Sequence, residues 1–271
     1  MKRTVFFISD GTAITAETLG HSLITQFPDV EFQQVRLPFV DTEMACLEAV
    51  HAIDEACERD EAPAVVFNTI VNAQLCEIIG TSKGVILDLF GAFLTPLEQA
   101  LGVEHQPTVG QAHAVDNFDR YEDRMDATNY AMKHDDGISV DFKDADLILV
   151  GVSRCGKTPT CLYMALHYGV KAANYPLTPE DLDEMRLPGF LRRYKYKLVG
   201  LNLEPERLAQ IRETRKPGSR YATLRQCRQE VDAAESLLRM EGVPLFETTH
   251  SSIEEISSRV LLQLGLQREM F

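Results

Sequence analysis

One stretch of this sequence has the residue types and the spacing of a phosphate-binding loop. It runs Gly151, Val152, Ser153, Arg154, Cys155, Gly156, Lys157 and Thr158. The order matches the P-loop pattern G-x-x-x-x-G-K-[ST], in which the glycines let backbone N–H groups converge on an anion. The lysine can reach the terminal phosphates and the threonine hydroxyl can ligate Mg²⁺. We therefore predict that residues 151–158 bind the phosphates and that Thr158 ligates the metal.

The flanking sequence supplies the context that this pattern requires. Residues 146–150 form an apolar run suited to a buried strand, and residues 160–168 have helical spacing of apolar side chains. Strand, loop and helix in this order place the loop at a helix N-terminus, which carries partial positive charge. The alternative is a glycine-rich turn that caps a helix and leaves Lys157 in solvent.

An acidic pair, Asp135 and Asp136, is the second candidate for chemistry. It follows a charged helix predicted over residues 119–133 and precedes Gly137. Two carboxylates at a helix C-terminus oppose the helix dipole, which favours a functional role in Mg²⁺ ligation or proton abstraction. The strand predicted over 196–203 ends near Asn202 rather than at the aspartate of a Walker B strand. Either carboxylate of the pair could fill that role, and a solvated acidic turn is the alternative.

A basic segment over residues 207–228 is the third candidate. Its cations are Arg207, Arg212, Arg215, Lys216, Arg220, Arg225 and Arg228. We interpret it as a mobile loop that closes over phosphates, with Arg220 as a candidate catalytic residue, because arginine makes bidentate contacts to phosphate. A solvated basic face is the alternative. The apolar stripe that begins at Leu224 favours core packing over a dimer seam, and a homodimer stays open.

Composition excludes several classes of protein. The chain has 271 residues, 45% hydrophobic and 25% charged, with a net charge of −14. Residues 1–145 hold 9 basic and 25 acidic residues, which argues against nucleic acid as a partner. No apolar run approaches the ~20 residues that span a bilayer. The six cysteines show no zinc spacing, and reduced thiols in a cytoplasmic protein are expected.

Strands alternate with helices along the whole chain. This order predicts an α/β fold in which a parallel-sheet domain, residues 1–145, precedes a loop-containing α/β domain, residues 146–271. Residues 9–12, Ser-Asp-Gly-Thr, follow the first predicted strand. They are either a turn that caps a helix or a loop that contacts substrate, since ligands bind at the carboxyl ends of parallel strands.

Three separated segments, residues 8–17, 134–138 and 151–160, resemble the phosphoenolpyruvate synthase regulatory proteins. These are relatives of the plant pyruvate, phosphate dikinase regulatory proteins. The likeness extends along nearly the whole chain, including residues 172–176 and 219–222, and residues 9–12 favour the synthase branch.

The resemblance implies a bifunctional enzyme. Such proteins use ADP to phosphorylate a threonine of the target enzyme, here phosphoenolpyruvate synthase. They also remove that phosphate with inorganic phosphate and release pyrophosphate. The nucleotide-binding loop of the family corresponds to Gly151 through Thr158. Two other hypotheses stay open from the residues alone, a P-loop kinase for a small molecule and a nucleotide-sensing protein without catalysis.

Overall fold

The protein is represented by a computed structural model that describes residues 2–106 and 118–266. The chain divides into two compact units, Met1–Ala114 and Val115–Phe271. Among the described residues, each unit contains one four-stranded parallel sheet with flanking helices. The predicted α/β class with two domains is confirmed.

In the first unit the strand order is β2-β1-β3-β4. Its strands and helices are β1 (Lys2–Ile8), α1 (Ile14–Ile24), β2 (Glu31–Leu37), α2 (Glu43–Arg59), β3 (Val65–Asn68), α3 (Ala73–Ile79), β4 (Val85–Asp88) and α4 (Leu89–Leu101). Successive side chains of a strand point to opposite faces. Phe6 and Ile8 therefore join the core that contains α2 and α3 residues, while Val5 and Phe7 join the one that contains α1 residues.

In the second unit the strand order is β6-β5-β7-β8. Its elements are α5 (Phe118–Lys133), β5 (Leu147–Gly151), α6 (Lys157–Tyr168), β6 (Ala172–Pro176), α7 (Pro179–Asp183), α8 (Gly189–Arg192), β7 (Leu198–Asn202), α9 (Pro205–Arg215), α10 (Leu224–Met240), β8 (Leu245–Glu247) and α11 (Ile253–Gln263). Short 3₁₀ turns span Lys195–Lys197 and Arg220–Ala222. Every residue of β5 is buried, as expected for a central strand covered on both faces.

The predicted domain boundary between residues 145 and 146 lies inside the second unit. Helix α5 packs against α6 and β6. Ala127, Ala131 and Phe142 share one apolar core with β5. Residues 118–145 therefore belong with the second sheet, because their apolar side chains are buried there.

The residue before the first turn sets the start of two helices. Helix α4 begins at Leu89, because the Asp88 side chain caps it by accepting from Gly91 N at 3.0 Å. Helix α6 begins at Lys157 rather than at 160, so the lysine and Thr158 lie in its first turn. Gly156, in a left-handed conformation, precedes α6 without a side-chain cap, and the helix starts before its apolar periodicity becomes visible.

The basic segment, residues 207–228, is largely helical, which corrects its interpretation as a mobile loop. It forms most of α9, the start of α10 and the 3₁₀ turn between them. The stripe that follows Leu224 is core, as predicted: Cys227, Val231, Ala234 and Leu238 are all buried. The six cysteines are unpaired and, apart from the partly exposed Cys76, buried.

Candidate functional site

The glycine-rich loop, residues 151–157, connects β5 to α6 at the carboxyl edge of the second sheet. Gly151, Arg154 and Gly156 have positive φ angles of 155°, 77° and 94°. A Cβ at Gly151 would contact the backbone oxygen of Leu201 in β7 and lie 2.9 Å from the Cys155 sulfur. A glycine is required at this position because the neighbouring strand leaves no room for a side chain.

The loop ends at an open helix N-terminus. Gly156 is the N-cap of α6 in a left-handed conformation, and no side chain of the described residues caps it. The first N–H groups of a helix have no partner within the helix and carry partial positive charge. Backbone donors of α6 are therefore directed toward the loop, as anion binding requires.

Lys157 is buried, and its ammonium group faces the loop from the inside. The exposed fraction of the residue is 4%. Its Nζ donates to the backbone oxygens of Gly151 at 3.2 Å and Val152 at 2.9 Å. A buried cation held by carbonyl groups is placed to stabilise negative charge at this loop, since the Lys157 side chain itself is shielded from water.

The acidic pair meets the loop, although 14 positions separate Asp136 and Gly151. The Thr158 hydroxyl donates to Asp135 Oδ1 at 2.7 Å. The buried Asn174 side chain also donates to Asp135 Oδ1, and its oxygen accepts from Asp136 N at 3.0 Å. Asn174, at the centre of β6, thus holds both acidic residues against the first turn of α6.

A cavity of about 210 Å³ joins these groups. It is lined by Asp136, Ser153, Arg154, Gly156, Lys157, Thr158 and Pro159. The structure therefore brings together the glycine-rich loop and the acidic pair predicted from sequence. Arg220 is exposed and is not among the residues that line this cavity.

Strand β7 ends at Asn202, which has an amide side chain where a Walker B strand has a carboxylate. Its side-chain amide donates to Glu235 Oε2 at 3.2 Å, and its backbone oxygen accepts from the Thr248 hydroxyl at 2.9 Å. The carboxylate beside Thr158 is instead Asp135. That the acidic pair fills the role of the Walker B aspartate stays a prediction.

The donor set is suitable for Mg²⁺. Among the described residues, no group of three or more His, Cys, Asp or Glu is arranged to hold a metal ion. Mg²⁺ is commonly held by one or two carboxylates together with substrate phosphates, and it keeps several waters. The Thr158 hydroxyl and the Asp135 carboxylate, 2.7 Å apart, provide oxygen ligands of that kind.

Two groups near the site are held in their protonated forms. Burial raises the pKa of the Cys161 thiol, whose sulfur donates to Ala173 O at 3.4 Å. Burial raises the pKa of the Tyr175 hydroxyl, and the nearby Asp181 carboxylate raises it further. That hydroxyl donates to Asp181 Oδ2 at 3.0 Å. Neither group is suited to accept a proton near neutral pH.

Sequence reasoning missed two polar residues, Asn174 and Arg212, that lie outside the glycine-rich loop and bond to residues of the site. Asn174 lies in residues 172–176, a segment that contributes to the family resemblance but suggests no role by itself. Arg212 is one of seven cations in the basic segment, yet its side chain is fully buried and bonds to the loop. The only available signal for Asn174 was a polar residue inside an otherwise apolar strand pattern.

In the first unit, Asp10 lies at the carboxyl end of β1 and is buried. Its Oδ2 accepts from Val71 N at 2.7 Å, and the Ser9 hydroxyl accepts from Gly11 N at 3.1 Å. These bonds stabilise the turn itself. Both hypotheses for residues 9–12 remain predictions.

The fold and the site define a two-domain α/β protein with a candidate anion site at the edge of its second sheet. The sequence matches the kinase/pyrophosphorylase family over residues 5–261. The match covers almost the entire chain, and the chain belongs to this family.

Several relatives from bacteria are similar over their full length. A protein of Stenotrophomonas maltophilia strain K279a is 54% identical over 269 residues, 99% of this chain and 98% of the relative. One of Pseudomonas aeruginosa strain LESB58 is 50% identical over 269 residues, with 99% and 98% coverage. One of Hahella chejuensis strain KCTC 2396 is 50% identical over 271 residues, with both chains fully covered. All three are provisionally named phosphoenolpyruvate synthase regulatory proteins.

No helix of the described residues is both long enough and apolar enough to cross a lipid bilayer.

Proposed function

We propose that this protein regulates phosphoenolpyruvate synthase by reversible phosphorylation of a threonine. ADP is the phosphoryl donor in one direction, and inorganic phosphate is the acceptor in the other. The family match and the names of the relatives support the target. The observation that carries the chemistry is the single cavity where Lys157, Thr158 and Asp136 meet beside Asp135.

In the kinase direction, the threonine oxygen attacks the terminal phosphorus of ADP and the bond to the bridging oxygen breaks. The products are phosphothreonine and AMP, and one proton is released from the hydroxyl group. Lys157 and the N–H groups of the loop stabilise negative charge on the phosphoryl oxygens. Arg154 is exposed and lines the same cavity, where it provides a second cation for these oxygens.

In the reverse direction, an oxygen of inorganic phosphate attacks the phosphothreonine phosphorus. The bond to the threonine oxygen breaks, so the products are threonine, which takes up a proton, and pyrophosphate. The same cavity serves both reactions, because each transition state concentrates negative charge between two phosphates. ADP and pyrophosphate should therefore each compete with inorganic phosphate.

The acidic pair has two roles, ligation of the metal ion and transfer of the threonine proton. Mg²⁺, when bound, neutralises charge between neighbouring phosphates. Thr158 and Asp135 would hold it, and Asp136, which lines the cavity, is placed to exchange the proton of the threonine hydroxyl. Asn174 keeps the two aspartates at fixed positions, since it donates to Asp135 and accepts from Asp136 N.

The test is to incubate the purified protein with ADP labelled in its terminal phosphate and with Mg²⁺. Phosphoenolpyruvate synthase and a panel of small-molecule acceptors are supplied separately. We expect label on a threonine of the synthase and, after addition of inorganic phosphate, recovery of the label in pyrophosphate. Transfer to a small molecule alone would indicate a metabolite kinase. Binding of ADP without any transfer would indicate a nucleotide sensor.

A further inference from the structure

A buried arginine connects the glycine-rich loop to the helices behind it. Arg212, in α9, has no exposed side-chain surface. One terminal nitrogen of its guanidinium donates to the backbone oxygen of Ser153 at 3.1 Å and to Glu230 of α10 at 2.7 Å. The other terminal nitrogen donates to the backbone oxygen of Tyr221 at 3.1 Å. The guanidinium therefore bonds to three separate segments of the chain at once.

Tyr221 completes the arrangement from the other side. The Arg212 guanidinium lies 3.9 Å from the centre of the Tyr221 ring, and the Tyr221 hydroxyl donates to Ser153 Oγ at 2.9 Å. Ser153 is thus held through its backbone oxygen and through its side chain. We call Arg212, Tyr221 and Ser153 the loop bracket.

The position of the bracket suggests what it controls. Ser153 and the next residue, Arg154, both line the cavity of the candidate site. Arg154 has a φ of 77°, a left-handed conformation that costs free energy for a residue other than glycine. Surrounding contacts must hold such a conformation, and the two bonds to Ser153 act on the adjacent residue.

The burial of Arg212 also requires an explanation. Removing a charge from water is unfavourable, and a buried ion pair often contributes little net stability compared with apolar side chains of similar size. Arg212 lies beside an apolar core in which Leu208 and Cys227 are buried. A side chain that donates to the loop, to Tyr221 and to Glu230 has a geometric role that no apolar residue could provide.

We propose that Arg212 and Tyr221 are positioning residues that fix Ser153 and Arg154 in the conformation required for phosphate binding. They also tie this loop to the basic turn, residues 215–220, which ends next to Tyr221. The effect on ligand binding rests on the function proposed above, whereas the mechanical link between loop and turn does not.

The basic turn is accessible to a direct probe. Arg215 and Arg220 are exposed, and Gly218 N donates to Glu213 at 2.8 Å. Trypsin cleaves after both arginines when the backbone can open. If the bracket holds the turn, cleavage should be slow in the wild type and slower when ADP occupies the loop.

The main test uses Tyr221→Phe, which removes only the hydroxyl that bonds to Ser153. ADP affinity by titration calorimetry should fall about 3- to 10-fold, as expected for the loss of one hydrogen bond. Ser153→Ala should have the same effect, and the double variant should be no worse than either one, because both remove the same bond. In the kinase assay the KM for ADP should rise more than kcat falls.

Two matched variants control for nonspecific effects. Tyr196→Phe removes the hydroxyl of a tyrosine that is 73% exposed. Glu206→Gln breaks the exposed ion pair with Arg228, which also joins α9 to α10. Both should keep wild-type ADP affinity and wild-type trypsin cleavage. Equal losses in these controls would mean that the loop responds to any loosening of the helices and would overturn the proposal.

Arg212→Gln gives the larger perturbation, with faster cleavage after Arg215 and Arg220 even without ADP. The substitution leaves Glu230 without its cation, so the variant must first be shown to fold. If Arg212→Gln does not fold, the result for Tyr221→Phe decides whether the bracket positions the loop. Unchanged ADP affinity and cleavage in Tyr221→Phe and Ser153→Ala would overturn the positioning role. If the wild type itself bound no ADP, the proposed function would fail, while the cleavage rates without nucleotide would still test the bracket.

Discussion

The two sheets share one strand order and differ in the residues that come directly after their first strand. Each places its first strand between the second and the third, in the orders β2-β1-β3-β4 and β6-β5-β7-β8. In open α/β sheets this point, where the connections leave in opposite directions, is where ligands bind. The protein therefore has two topologically equivalent positions, at the carboxyl ends of β1 and β5.

Only one of these positions has the residues of a phosphate site. After β1, the Asp10 carboxylate accepts from Val71 N and the Ser9 hydroxyl accepts from Gly11 N. After β5, the chain provides glycines at 151 and 156 and a buried lysine between carbonyl groups. A carboxylate repels phosphate, whereas a lysine and free backbone N–H groups attract it. Strand order thus defines a location, and local residues decide its chemistry.

The last residue of β1 and the last residue of β5 also differ in how they pack. β1 ends at Ile8, which is fully buried in an apolar core. β5 ends at Gly151, where even a Cβ would contact the backbone of β7. The second sheet holds its backbone close to the neighbouring strand at this point, and a loop can then turn sharply above it.

The largest expected effect comes from removal of the Lys157 ammonium group. Lys157→Ala should lower both the ADP-dependent and the phosphate-dependent reaction by about 10²–10³, the usual cost of one preorganised charge contact. Lys83→Ala, which removes an exposed lysine of the first unit paired with Glu58, should leave both rates unchanged. Both assays are run on the same folded protein. A variant that lost one activity and kept the other would require a second phosphate site.

The acidic pair should give the next largest effect. Asp135→Asn weakens the partner of Thr158, so it should raise the Mg²⁺ concentration needed for half-maximal rate. Asp136→Asn removes the carboxylate in the cavity, so it should lower the rate about 10²-fold even at saturating Mg²⁺. Asp183→Asn, at an exposed position, is the control. If both variants behave like the wild type, the pair is a solvated turn.

The packing contrast predicts a specific stability loss. Gly151→Ala should lower the free energy of unfolding by roughly 1–3 kcal/mol, as overpacking does, and should weaken ADP binding because the loop is displaced. Gly189→Ala is the matched control, since the added Cβ would meet no described atom within 4 Å beyond its chain neighbours and the backbone of its own helix. Urea unfolding and calorimetry with ADP measure the two effects. A Gly151→Ala variant as stable as the wild type would contradict the close approach to β7.

The smallest effect is expected in the first unit. Asp10→Asn weakens the charged bond to Val71 N and should lower the free energy of unfolding by about 1 kcal/mol. ADP affinity should not change, because the proposed ADP site lies in the second unit. Thermal unfolding and calorimetry provide the comparison. A loss of synthase phosphorylation with ADP affinity intact would favour the hypothesis that residues 9–12 contact the protein substrate.

Sequence reasoning succeeded where the signal is local. The glycines, the lysine and the apolar run before them identify the loop, because backbone freedom and strand burial are encoded in neighbouring residues. The apolar run over residues 146–150 predicts β5 to within one residue, and the strand predicted over 196–203 contains β7. The acidic pair was found from its conflict with a helix dipole rather than from any contact.

The parts that sequence reasoning missed depend on contacts between distant segments. Nothing near Arg212 distinguishes it from Arg207 or Arg215, and only the packing of α9 against α10 buries it beside Ser153. The same packing stabilises most of the basic segment, residues 207–228, as helix. Asn174 acquires its role only when β6 pairs with β5 and meets the end of α5. Propensity and periodicity contain no information about such tertiary neighbours.

The central position of the first strand also has a consequence during synthesis on the ribosome. N-terminal domains generally fold first, so the sheet of the first unit can form while the second is still being made. Within the second unit, β5 and the glycine-rich loop emerge early, but Leu201 of β7, which abuts Gly151, emerges after α6, β6, α7 and α8. Arg212 and Tyr221 emerge later still. A nascent chain therefore carries the complete glycine-rich loop well before it has the strand and the helices that give this loop its shape.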